Sequence, residues 1–380
     1  MICSARPPQR APPNPGPQVD PERTLPPGAT LADRLSCLNA NPAARYNEPG
    51  PDGGVPGIFL QFTKEAGLSY DVSILAVSSA TLTGCTTGTS SQYFTAIASS
   101  KWDRVVLQDQ SFEPLPSSIT VNGQSVATRG NFPKFETGVN QIVGGLDAAD
   151  QTAGKPPAAV TLYETQPLAS YGYVSSDPNK PIYGSSTSPP GGLNAPYVGV
   201  ADPLGAMAGD LHNAYEQAAS DEMAANPSGS RIGVALAGDA WITAINSGIA
   251  MRNPYLTAEP AGQVDLWDSD PLEACCTTPV GYHESAYGAY LSALVLFDEI
   301  TGIDPRSLAA EFDAGNFESA SMALGISPQI AEDLAAAAAQ TVGAGGRFRN
   351  LLLGAAIAGL GLWRLRRSRP GGGTLCRRPG

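Results

Sequence analysis

The sequence predicts an α/β fold of three layers, a parallel sheet with helices on both faces. Short, nearly continuous apolar runs such as Val105-Val106-Leu107 and Val160-Thr161-Leu162-Tyr163 alternate with longer segments of helical apolar spacing. Strands buried on both faces have that texture. At 380 residues and 42% hydrophobic, the chain also has material for a sizeable core.

Taken in order, residues 1–45 read as a disordered, extended arm, with Pro7-Pro8, Pro12-Pro13 and Pro26-Pro27 and no apolar run. A domain over 46–343 follows. Large apolar residues at helical spacing predict a helix over 55–67, with a proline near its start and a glycine at its end. Alternation and β-branched residues predict a strand over 70–77, and the polar stretch 78–85 reads as a loop. A short helix near 91–99 leads to a strand over 102–108, which ends in Gln108-Asp109-Gln110-Ser111. A helix over 132–149 and a strand over 157–163 come next, the strand ending in Glu164-Thr165-Gln166. The Gly/Ser/Pro/Tyr-rich segment 169–200 is long enough to be a covering or functional loop. A helix over 203–225, a strand over 231–237 and helices over 239–251, 285–301, 305–313 and 326–342 complete the domain. In such sheets ligands sit where strands end in loops.

Charge narrows the partners. The net charge is -12, and residues 45–343 alone carry 11 basic and 32 acidic residues, while 344–380 carry eight arginines and no acid. So acidic a domain repels phosphate backbones, which argues against nucleic-acid binding. The apolar run 351–363 is followed by an arginine cluster reaching Arg369. It is short for a bilayer span, which needs about 20 residues, and reads either as an interfacial membrane contact over 351–369 or as an extension without a membrane role. No apolar stretch of secretory-signal length follows Met1. The six cysteines, Cys3, Cys37, Cys85, Cys275, Cys276 and Cys376, lack zinc-type spacing. Cys85 pairs with Cys275 or Cys276 in an oxidising compartment, or all three remain thiols.

There are two histidines. His212 lies mid-helix among solvent-type residues and reads as structural. His283 stands in a turn after the last expected strand, opens a strongly apolar helix and has Asp265, Asp268 and Asp270 upstream. Those carboxylates can orient an imidazole and stabilise its protonated form.

Two blocks carry a family resemblance. Residues 101–111, with Val105-Val106-Leu107-Gln108-Asp109-Gln110-Ser111, resemble the third motif region of a branch of the SGNH (GDSL-type) hydrolases. Residues 283–305, with Gly288-Ala289-Tyr290-Leu291 and Thr301-Gly302-Ile303-Asp304-Pro305, resemble that branch's C-terminal catalytic block. The resemblance implies a flavodoxin-like architecture, an exported protein, no cofactor, and hydrolysis of carboxylic esters of small molecules or acylated carbohydrates; two isolated histidines and no clustered acids argue against a metal site. It assigns His283 as general base. The acid position three residues earlier is Val280, and 271–281 looks like an insertion that displaces the acid to Asp270 or, second, Asp268. The oxyanion donors fall at the Ser79 backbone N–H and the Gln110 amide.

The nucleophile does not carry over. The family sets it in a Gly-Asp-Ser or Gly-Asn-Ser turn after a central first strand, whereas the corresponding place here reads Asn39-Ala40-Asn41-Pro42-Ala43-Ala44-Arg45-Tyr46. Ser36, the nearby serine, lacks the glycine turn. The first strand is therefore expected to be missing or replaced. Either residues 1–45 are a misassigned start, or the chain is an inactive member that serves as a ligand-binding or surface protein on the same scaffold.

Overall fold

A computed structural model describes residues 2–6, 54–75, 80–87, 94–174, 195–256, 260–267, 281, 283–308 and 319–357, with only the backbone described for 2–6 and 344–357. It is a mixed α/β structure in which a small parallel sheet is flanked by helices. Contacts divide the chain into two units, Met1–Gly343 and Ala344–Gly380.

The strands are β1 (Ile2–Arg6), β2 (Asp71–Leu75), β3 (Arg104–Leu107), β4 (Ser118–Val121), β5 (Gln124–Ala127), β6 (Ala159–Tyr163) and β7 (Ile232–Ala235). The helices are α1 (Gly54–Glu65), α2 (Leu82–Thr87), α3 (Phe94–Ile97), α4 (Phe132–Thr152), α5 (Ala169–Gly172), α6 (Pro203–Ala225), α7 (Ala237–Asn246), α8 (Ala286–Thr301), α9 (Ala320–Ala323) and α10 (Pro328–Ile357). Among the described residues no helix is long and apolar enough to cross a membrane.

The main sheet has the order β2-β1-β3-β6-β7. β3, β6 and β7 run parallel, with Leu107 beside Leu162 and Tyr163 beside Ala235. Their C-terminal ends are therefore level. Successive residues in these strands face opposite ways: Val105, Leu107, Val160, Leu162 and Val234 join one apolar cluster, whereas Val106, Tyr163 and Ala235 join the other. That period of two is why the strands are apolar at nearly every position. One cluster draws on α2, α4 and α6, the other on α1, α7, α8 and α10. Each fully buried Val or Leu contributes about 1.5–3 kcal/mol.

Helix α8 is buried at every residue from Gly288 to Phe297, so it is an internal helix, apolar around its whole circumference. Ser285 caps it by accepting from the Tyr287 and Gly288 N–H groups, both at 3.2 Å. Phe62 of α1 meets Tyr290 and Phe297 edge-on, with ring centroids 5.2 and 6.0 Å apart.

Three differences from the sequence reading have physical causes. The expected loop 78–85 contains the start of α2, which is anchored through space by the Leu82 N–H donating to Asp109 Oδ1 at 3.2 Å. An unexpected hairpin, β4 and β5, turns at Asn122-Gly123, whose φ angles of 50° and 78° are those of a tight two-residue turn. The Pro-rich arm reads as disordered, yet its residues 2–6 form β1 between β2 and β3, antiparallel to both. In addition, of the helix expected over 305–313, residues 305–308 form a 3-10 turn at Pro305–Ser307 followed by extended Leu308, and 309–313 lie outside the described residues.

Candidate functional site

The three parallel strands end side by side, and the residues just past those ends are polar and buried. Beyond β3, Asp109 Oδ1 accepts from the Leu82 and Gln110 N–H groups at 3.2 and 2.6 Å. Burial, and then the neighbouring Glu113 carboxylate, raise the Asp109 carboxyl to about 8. Glu113 itself is paired with Lys134 at 2.7 Å. Beyond β6, Glu164, Thr165 and Gln166 are all buried. Thr165 Oγ1 donates to the Ser111 carbonyl at 3.4 Å, tying the β6 end to the turn after β3. Beyond β7, helix α7 begins almost at once and carries Asp239 in its first turn.

His283 is held at this edge by its neighbour. Glu284 is buried, and its Oε1 accepts from Tyr163 Oη at 2.8 Å and from Ser292 Oγ at 3.2 Å. Ser292 in turn accepts from Trp241 Nε1 at 3.1 Å. This buried chain of hydrogen bonds links the last residue of β6 to α8 and α7. Glu284 also bridges to Trp267, whose Nε1 donates to the Pro167 carbonyl at 3.1 Å. His283 is exposed by surface area, yet desolvation by the surrounding protein lowers its pKa from the ordinary value. A neutral imidazole at neutral pH is the form a general base needs.

The residues expected at the site divide in three ways. Gln110 follows the C-terminal end of β3, with its side-chain oxygen 3.4 Å from the Phe112 N–H, and His283 precedes Glu284, which is bonded to the last residue of β6. Ser79, Asp268, Asp270, Ser36, Cys275 and Cys276 lie outside the described residues. Asp265, the upstream acid that is described, accepts from the Trp267 N–H at 2.9 Å and through its carbonyl from Ser285 Oγ at 2.7 Å, beside the His283 turn. Cys85 is a buried free thiol on α2.

His212, which reads as structural from the sequence, has an acidic neighbour from another element. His212 Nδ1 lies 2.9 Å from Asp239 Oδ2. Ligand atoms of Glu164, His212 and Asp239 all fall within 4.8 Å of one another, although no linear spacing announced a metal-type cluster. The available signal was the position of two acids directly after parallel strands, where ligands collect. Glu164 is wholly buried, and burial, followed by the charge of Asp239, raises its pKa well above the carboxylate range. A groove of about 480 Å³ also opens between the hairpin and α6, lined by Ile119, Tyr197, Gly209 and Asp210 among others, and neither histidine lines it. A scan of family models and searches of curated proteins and of solved structures return no match to this chain.

Proposed function

We propose that this chain carries the scaffold of an SGNH-type carboxylic ester hydrolase, flavodoxin-like with three layers, in which His283 is the general base. Asp270, or second Asp268, orients the imidazole, and the Ser79 N–H and Gln110 amide stabilise the oxyanion. The substrate class is an ester of a small molecule or an acylated carbohydrate. The protein acts outside the cytoplasm, with residues 351–369 touching a membrane surface.

The observation that carries this reading is the strand order, in which the strand between β2 and β3 holds the interior place where such enzymes position their nucleophile. Glu284, next to His283, accepts a hydrogen bond from Tyr163, the last residue of β6, which supports the assignment. In this chain the central place is taken by β1, which runs antiparallel, so that Ile2, beside Leu75 and Leu107, stands at that edge instead of a serine turn. Turnover is therefore impaired, and what remains comes from His283 drawing a proton directly from water.

The test is hydrolysis of p-nitrophenyl acetate by the full chain and by His283→Ala. The expected result is weak turnover that falls about a hundredfold in the variant, the contribution typical of a positioned base. Turnover that His283→Ala leaves unchanged removes His283 from the mechanism. No turnover above buffer selects the second reading, a non-catalytic ligand-binding protein on the same scaffold, which the antiparallel β1 favours.

A further inference from the structure

We propose that Glu164, His212 and Asp239 form a binding site for one divalent first-row transition-metal ion, a function separate from the ester-cleaving reading and independent of it. The three residues come from three elements: the turn after β6, the middle of α6 and the first turn of α7. Their ligand atoms lie within 4.8 Å of one another, and His212 Nδ1 lies 2.9 Å from Asp239 Oδ2. Donors sharing a zinc ion at about 2.1 Å stand roughly 3.4 Å apart in tetrahedral geometry. Closing the cluster around an ion therefore needs only side-chain adjustment. One imidazole nitrogen and two carboxylates form a donor set suited to zinc and its first-row neighbours, and harder ions such as magnesium prefer oxygen alone.

A second observation points to a cation independently of the clustering. Glu164 has 0% exposure, and neither of its carboxylate oxygens has an aligned hydrogen-bond partner. Among the described residues no Lys or Arg forms an ion pair with it. Buried polar atoms are seldom left so, because each costs about 1–3 kcal/mol. The charges of Asp239 and Glu216 both add negative potential at the Glu164 carboxyl, and the Asp239 backbone N–H offsets only part of it. The start of α7 is pressed against this carboxylate, since a Cβ at Gly238 would stand 3.0 Å from Glu164 Oε1 and 2.6 Å from the Thr165 carbonyl oxygen. His212 and Asp239 are partly exposed, at 37% and 30%. The ion would thus be fixed from the inside by Glu164 and approached from solvent past the other two.

The test is a titration of the full, chelator-treated chain with zinc by calorimetry, and with cobalt(II) followed by visible absorption. We expect one ion per chain at this site. Glu164→Gln and His212→Ala should each weaken binding by more than about tenfold, since even residues outside a coordination sphere cost that much. His283→Ala should leave binding unchanged. If Glu164→Gln fails to fold, the partly exposed His212 still provides the decisive variant. Absence of binding, binding that His212→Ala leaves intact, or binding lost in His283→Ala in place of His212→Ala would each overturn the site.

Discussion

His212 and His283 stand in contrasting settings. His212 rides on a 23-residue helix, and its imidazole meets Asp239 at 2.9 Å across to α7. His283 lies in a turn and its own side chain is exposed, while Glu284 beside it is locked into a buried chain of hydrogen bonds. The first histidine owes its place to a regular element and its chemistry to a partner from another strand end. The second stands next to a residue that makes buried long-range contacts. Whether a histidine sits on a helix or a loop therefore says little about its chemistry; the groups facing it decide.

That contrast breaks most easily at Glu284. Glu284→Ala should cost about 3 kcal/mol in urea unfolding, because the Tyr163 and Ser292 hydroxyls are left buried without their acceptor. A loss below about 1 kcal/mol, the net worth of one ordinary hydrogen bond, would show that this chain of bonds does not hold the His283 turn. On the other side, Asp239→Ala should change metal-free stability by less than about 1 kcal/mol, since a partly exposed pair is worth little and its removal relieves repulsion on Glu164. A larger loss would place His212 in the same class as His283.

The smallest effect is one of pH. His283 has a folded pKa below its unfolded value, so the unfolded chain binds the proton more readily, and stability falls as pH drops through about 6.5. In His283→Gln that part of the acid sensitivity should be absent. Parallel urea titrations of the two proteins between pH 5 and 8 measure it, and identical slopes would mean that His283 titrates as it does in the unfolded chain.

Much of the fold was legible because its strands are buried on both faces. Val105-Val106-Leu107 and Val160-Thr161-Leu162-Tyr163 read as strands without any tertiary knowledge, and α8 read as a helix from its unbroken apolar run. The β4–β5 hairpin was equally open to reading, since Asn122-Gly123 between Val121 and Val126 is a strong turn signal, but its strands are short and largely exposed. Helix α2 was hidden for a different reason: its Thr-rich sequence has no helical preference, and a carboxylate 27 residues away, that of Asp109, holds its first N–H. At the site, His283 was legible from its local setting. The Glu164, His212 and Asp239 cluster was not, because it exists only once β6, α6 and α7 are folded together.

The antiparallel β1 also governs the order in which the molecule is built. Ile2 pairs with Leu107, more than a hundred positions along the chain, and with Leu75 on the other side. Residues 2–6 therefore have no sheet partner until β2 and β3 have both formed. Closing loops of that length slows folding, since the entropy of closure is spent before any contact repays it. Until β1 docks, β2 and β3 each present an open edge to other chains. The interval between synthesis and closure is when this protein is most exposed to misassembly.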